Sequence, residues 1–214
     1  MKPTHIEMEV KLIVPDAAAL AKLPEALLET CRQVKDMGVM RIMDTYYDTA
    51  EWHLRRASFA CRIRRAGKHV VLALKSLQRP RRGVSLREEY EATLPLPLPR
   101  DVGKRFRGRL GCTIREITGG APLRTIFRIR NRRHNYRVQV GDLVAQVSAD
   151  DFIVSSGSNR RRLSEVEIEL IRGTEADIRR FATILRRRLR LSRGTRAKYQ
   201  QGLAVSIHSP DHRA

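Results

Sequence analysis

The chain has 214 residues, enough for one compact domain that buries a core without disulfides. Its apolar content of 42% is slightly low and its charged content of 31% high, which still permits a globular fold because apolar residues recur in organised patterns. Lys and Arg number 43 against 23 Asp and Glu, and the net charge of +20 calls for an anionic partner: nucleic acid, a membrane surface or a phosphorylated small molecule.

From the N-terminus, Ile6, Met8, Val10 and Leu12 alternate with Glu7, Glu9 and Lys11, so residues 6–14 are expected to form a strand. This start has neither the apolar region of a secretory signal nor a membrane span, so a cytoplasmic protein without membrane contact is expected. Helix formers after Asp16 predict a helix over 16–37, followed by a strand over 39–48. A turn and a short helical segment (49–58) lead to a strand at Phe59–Arg65. Ala66-Gly67-Lys68 then opens a hairpin into His69–Lys75. The basic loop at 78–83 is expected to be mobile. A strand follows at 84–94, closed by the PLPLP run at 95–99. Further on, the pattern predicts a helix over 101–117, strands over 123–130, 132–140, 142–150 and 163–172, and a basic helix over 174–190. A single domain over 1–203 with a loose tail at 204–214 results. Hairpin-linked strands with few helices give an α+β class with an antiparallel sheet, which could close into a barrel.

The strands share an unusual polar face. It holds Glu7, Glu9 and Lys11 in the first strand, Arg62 and Arg64 in the third, and Lys75 at the end of the fourth. Arg87, Glu89 and Glu91 share one face of the fifth, and Glu165, Glu167 and Glu169 one face of the last. One reading is the solvated side of an ordinary sheet. Yet these faces are almost wholly charged, and the three glutamates lie about 7 Å apart, where they repel unless a cation intervenes. The other reading is a charged interior. Carboxylates there would offer hard oxygen ligands to Mg²⁺ or Mn²⁺, while Arg and Lys would grip phosphate.

At this point the residues resemble the CYTH family, the group of class IV adenylyl cyclases and thiamine triphosphatases. Glu7-Met8-Glu9-Val10-Lys11 is similar to its ExExK signature and Tyr46-Tyr47-Asp48-Thr49 to its YYDT segment. Cys61–Arg64 resembles its LRxR strand, Leu72–Lys75 its LxLK strand and Arg87–Glu91 its REEYE strand. Ser164–Leu170 is similar to its ELELEL strand and Thr195–Lys198 to its closing SK motif. The resemblance implies an eight-stranded antiparallel β-barrel tunnel with flanking helices, open at both ends, that binds triphosphate and divalent metal. It implies metal ligation by Glu7, Glu9, Asp150, Glu165, Glu167 and Glu169, and phosphate binding by Arg62, Arg64, Lys75, Arg87, Arg133 and Lys198. Glu89 and Glu91 would be further acidic groups of the tunnel. Lys11 would stand at the attacked phosphoryl, orienting the water or acting as its base. Gln146 and Phe152 depart from the family pattern, where Glu and Gly are usual. Homodimers are common in the family.

The expected activity is hydrolysis of inorganic triphosphate to pyrophosphate and phosphate. A cyclase or organic triphosphatase is the second reading, and a non-catalytic binder of polyphosphate or RNA the third. The arginine runs at 160–162 and 186–188 would allow salt-sensitive, non-specific nucleic-acid binding. Few aromatics, no P-loop and no histidine pair at zinc spacing argue against base-stacking, P-loop and zinc chemistry. Cys31, Cys61 and Cys112 are expected to be reduced thiols.

Overall fold

Alternation of charged and apolar residues sends the two faces of each strand into different surroundings, and the fold is built on that division. A computed structural model describes residues 2–78, 80–95, 106 and 108–206. In chain order it contains β1 (His5–Ile13), α1 (Ala17–Ala21), α2 (Leu23–Thr30), β2 (Gln33–Asp48), α3 (His53–Arg56), β3 (Phe59–Ala66), β4 (His69–Ser76) and β5 (Ser85–Thr93). Then come α4 (Gly108–Thr118), β6 (Arg124–Val140), β7 (Leu143–Ser156), β8 (Asn159–Arg172), α5 (Glu175–Arg188), β9 (Ser192–Gly194) and α6 (Lys198–Ser206). Eight strands close into an antiparallel barrel in the order β1-β5-β4-β3-β2-β6-β7-β8, with β8 returning to β1. Closure leaves no long unpaired edge in the ring. β9 lies outside it, on β1 residues Lys11–Ile13, just past the His5–Glu9 stretch that pairs with β5.

The apolar faces of the strands point outward, so the hydrophobic core lies between the barrel and its helices. Ile178, Phe181, Ala182 and Leu185 of α5, at helical spacing, pack with α2 on Val10, Leu12, Val147, Val166 and Ile168. Leu54 of α3 and Leu110 and Ile114 of α4 cover Ile63, Leu72 and Leu74 on the far side. Each such residue contributes roughly 1.5–3 kcal/mol by leaving water. The inner face is thereby free to be polar.

A third cluster sits inside the barrel, at one end. Tyr46, Phe127, Ile129, Phe152 and Val154 share register with lumen-facing neighbours, and Tyr199, Leu203 and Val205 of α6 pack onto them. Tyr46 stacks on Phe127 with ring centroids 4.5 Å apart, and Tyr199 lies 6.0 Å from Phe127. The expectation of a tunnel open at both ends is corrected here, because α6 fills this end. The close approach of α6 depends on Gly202, where an added Cβ would fall 2.1 Å from the Phe127 ring. With that ring held between Tyr46 and Tyr199, Gly202→Ala is expected to cost about 1–3 kcal/mol by overpacking. Denaturant unfolding of Gly202→Ala, alone and with Phe127→Leu, checks this: the second change should recover part of the loss.

Several element boundaries differ from expectation. The helix expected over 16–37 ends at Thr30, since β2 already begins at Gln33 and pairs Gln33 with Gln139. Pairing with the far half of β6 overrides the helix propensity of this stretch, and Gly38 at φ +81° absorbs an irregularity in the register. The strands expected at 123–130 and 132–140 are one, because Asn131 turns into the lumen instead of breaking the chain. Most of the proline run and residues 101–105 of the expected helix over 101–117 lie outside the described residues. The tail expected from residue 204 is helical to Ser206, and 207–214 lie outside the described residues. No described helix is long and apolar enough to cross a membrane.

Candidate active site

The lumen is lined in rings set by strand register. Glu7, Glu9 and Lys11 face inward from β1. Opposite them in register stand Arg87 and Ser85 of β5 on one side, and Glu169 and Glu167 of β8 on the other. Register carries the same face to Glu89 and Lys75, to Arg62 and Asp44, and through Arg133 and Asp150 back to Glu165. Every candidate residue expected on the inner face is found on it. Burial is graded along the axis: Glu165 is 4% and Glu169 31% exposed by side chain, so Glu169 marks the open mouth and Glu165 lies near α6.

Opposite charges neutralise one another throughout. Lys11 Nζ donates to Glu9 at 3.2 Å, contacts Glu167 and lies 3.7 Å from Glu165. Arg133 grips Asp150 with two hydrogen bonds of 2.7 and 2.6 Å and also contacts Glu167. Lys198, brought in by the first turn of α6, donates to Asp150 at 2.6 Å and Glu167 at 2.9 Å and contacts Glu165. Lys75 contacts Glu89 and stands 3.5 Å from Glu7, while Arg87 stands 2.9 Å from Glu9. Nearer the mouth Arg62 lies 4.0 Å from Glu91, and His5 lies 3.4 Å from Glu169.

These contacts shift the charges in a consistent way. Burial works against the Lys11 ammonium, but Glu167, Glu9 and Glu165 outweigh it and hold its pKa above the ordinary lysine value. Lys11 therefore stays protonated at neutral pH. A protonated Lys11 suits the first of the two roles the resemblance implied, orientation of the water. Lys198 is likewise held well up, against its burial, by Asp150, Glu165 and Glu167. By contrast, burial and the Arg62 guanidinium push Lys75 down to about 7. Glu167 is held well below the carboxylate range by Lys11, Lys198 and Arg133 despite its burial. Burial pushes the Glu9 carboxyl up, more than Lys11 lowers it.

The acidic residues expected as one ligand set fall into three groups. Oxygens of Asp150, Glu165 and Glu167 lie within 4.8 Å of one another, and Lys198 Nζ already sits among them. Glu7 Oε2 and Glu9 Oε1, on β1, are buried and make no well-formed hydrogen bond, and their partners are cationic: Lys75 Nζ lies 3.5 Å from the first and Arg87 2.9 Å from the second. Glu169 stands apart at the mouth. Adjacent carboxylates are hard oxygen ligands for a divalent cation such as Mg²⁺ or Mn²⁺, so the residues fit one at Glu7 and Glu9 when Lys75 and Arg87 turn to another anion.

The fold agrees with the comparisons. The CYTH domain family matches residues 5–199. The chain belongs to this family. HpAC1 from Hippeastrum, a candidate adenylyl cyclase described with a dominant triphosphatase activity, is 21% identical over 92% of this chain and 95% of its own, with a TM-score of 0.72. A candidate adenylate cyclase from Bacillus halodurans is 18% identical over 92% and 97% of the two chains, at a TM-score of 0.67. A Pyrococcus horikoshii protein is also 18% identical, over 92% and 98%, at 0.58. No curated protein matches.

The CYTH lumen also contains residues that the sequence reading passed over. Asn131 donates to Asp150 at 2.8 Å, and Gln201 of α6 donates to Glu165 at 2.8 Å. Asp44, 1% exposed, accepts two hydrogen bonds of 2.8 Å from Arg64 and lies 3.8 Å from Arg62. Its period-two spacing from Tyr46 was the available signal. Of the two departures from the family pattern, Gln146 faces Glu169 at the mouth. Phe152 is buried under Lys198, whose Nζ lies 5.1 Å from the ring centroid.

Burial raises the Asp44 carboxyl, but Arg64 and Arg62 outweigh it and hold its pKa well below the ordinary value. A carboxylate depressed on folding gives stability that is complete above its unfolded pKa of about 4 and is lost as the pH falls toward the folded value. Asp44→Asn should therefore lower the melting temperature at pH 7 and flatten its fall between about pH 5 and pH 2. Melting curves across that range check it, and an unchanged acid limb would remove Asp44 from the account.

Proposed function

We propose that the chain hydrolyses inorganic triphosphate to pyrophosphate and phosphate inside the barrel, with Mg²⁺ or Mn²⁺ held by Glu7 and Glu9. The supporting observation is a lumen that gathers seven Lys and Arg side chains and nine carboxylates, with its aromatic rings packed on one another at the filled end. Tyr46, Phe127 and Tyr199 use their faces in that packing, so they offer no platform for a nucleobase or thiazolium. The dominant triphosphatase activity described for the Hippeastrum protein runs in the same direction.

When bound, the divalent ion would neutralise phosphate charge and activate a water molecule. The protein's own part is positioning and charge stabilisation, which carry most of phosphoryl transfer. Arg62, Arg64, Lys75, Arg87, Arg133 and Lys198 bind phosphate oxygens. Lys11, protonated, orients the water at the attacked phosphorus. The free volume of this lumen is only about 60 Å³, because ion pairs close it. Each carboxylate that turns to a metal ion releases a guanidinium or ammonium for phosphate, so metal and triphosphate binding favour each other.

The test is phosphate release from tripolyphosphate, ATP and thiamine triphosphate, with Mg²⁺, with Mn²⁺ and with EDTA. The reading expects tripolyphosphate to turn over fastest and EDTA to stop it. Faster turnover of an organic triphosphate, or cyclic AMP from ATP, would move the assignment to the second reading. Binding without turnover under every metal condition would leave a non-catalytic binder.

A further inference from the structure

The lumen holds more carboxylates than Lys and Arg side chains, so among the described residues the positive excess of this basic chain lies outside it. Part of that outer charge is gathered in a concavity. A cleft of about 720 Å³ runs along the back of β1, floored by Val10 and Leu12, the outward neighbours of Glu9 and Lys11. Arg179, Arg180, Arg186 and Arg187 of α5 line one side, with Arg193 of β9 and Arg82 of the loop before β5 on the other. Arg179 has an ion pair, 3.5 Å to exposed Glu175. No carboxylate is among the described lining residues. The Nε of Arg186 is buried with no hydrogen-bond partner, a donor that lacks its acceptor.

We infer that this cleft binds a short inorganic oligophosphate at a second site, separate from the lumen. Six guanidiniums around one space repel each other unless an anion sits between them, and their planar forks match phosphate oxygens two at a time. The α5 arginines recur at i, i+1, i+7 and i+8, a row about 12 Å long, which suits several linked phosphates better than one. Among the described lining residues none is aromatic, so a nucleobase has nothing to stack on, and none is acidic, so ribose hydroxyls find no carboxylate acceptor. A volume of this order is usual for a small-ligand site. The inference concerns binding alone and stands or falls independently of the hydrolase reading.

Calorimetric titration of the full chain with tripolyphosphate in EDTA at physiological salt tests it. The expected result is about one equivalent bound in the cleft, because without metal the lumen stays closed by its ion pairs. In Arg186→Gln/Arg193→Gln one class of site should weaken at least tenfold, with the melting temperature of the unliganded protein and metal-dependent turnover retained. Arg62→Gln, in the lumen, should spare that class. Identical titrations of the parent and the double variant would overturn the inference. So would displacement of tripolyphosphate from this class by sodium chloride alone at equal ionic strength. If ATP binds the cleft as tightly as tripolyphosphate, the inorganic ligand is wrong. If single-stranded RNA binds more tightly and the double variant loses that binding, the surface belongs to nucleic acid instead.

Discussion

Glu9→Gln is expected to lower triphosphate turnover by on the order of 10²-fold or more, the scale for removing one preorganised charged group, while leaving the melting temperature almost unchanged. The two halves of this expectation come from the same burial. Glu9 is 2% exposed, and burial pushes its carboxyl up, so its negative charge adds little to folding. Glutamine keeps the shape and can still accept from Lys11, which lies 3.2 Å away. What glutamine lacks is the anionic Oε1 that now faces Arg87 at 2.9 Å, the atom proposed for the metal. Raising Mn²⁺ should recover part of the activity if weakened metal binding is the cause. Parent-like turnover in the variant would remove Glu9 from the site, and a collapse in melting temperature would show a structural role instead.

Lys198→Met is expected to act mainly on stability. Its ammonium bridges Asp150, Glu165 and Glu167, which are all buried and would then share only Lys11, Arg133 and hydrogen-bonding neutral groups. Removing one partner from a buried ion cluster costs about 3–5 kcal/mol. For a chain of this size that is a fall in melting temperature on the order of 10 °C. Methionine retains the packing on Phe152, which separates lost charge from lost contact. With the ammonium gone, the three carboxylates become an acidic pocket open to a divalent ion. Mn²⁺ should then raise the melting temperature of the variant more than that of the parent. A variant that melts with the parent and ignores Mn²⁺ would mean the three carboxylates need no cation.

The barrel was legible because its strands are amphipathic in an unusual sense. Charged residues at every second position of β1, β5 and β8 signalled an inner face, and the structure carries Glu7, Arg87 and Glu167 onto it. Alternation reports which residues share a face. It does not report which way that face looks, and here the family motifs supplied the answer. The start of β2 was hidden because Gln33–Gly38 has helix-forming composition, and only the distant strand β6 makes it extended. Asp44 was missed because one aspartate on a strand is ambiguous until Arg62 and Arg64 are seen beside it. The plug was missed for a similar reason. Tyr199, Leu203 and Val205 are too sparse to mark a core helix until Phe127, Phe152 and Val154 meet them from the inner wall.

With α6 filling one end of the barrel, the doorway among the described residues is at Glu169 and His5. Whatever enters lengthwise must back out the way it came. If the lumen cuts a triphosphate as proposed, the fragment nearer the mouth would be the first that can go, and the deeper one would wait behind it. Release is therefore ordered by position, like a column unloaded from one end. An excess of the outer product should trap the inner product in place, giving an inhibition pattern that a two-ended tunnel would not produce.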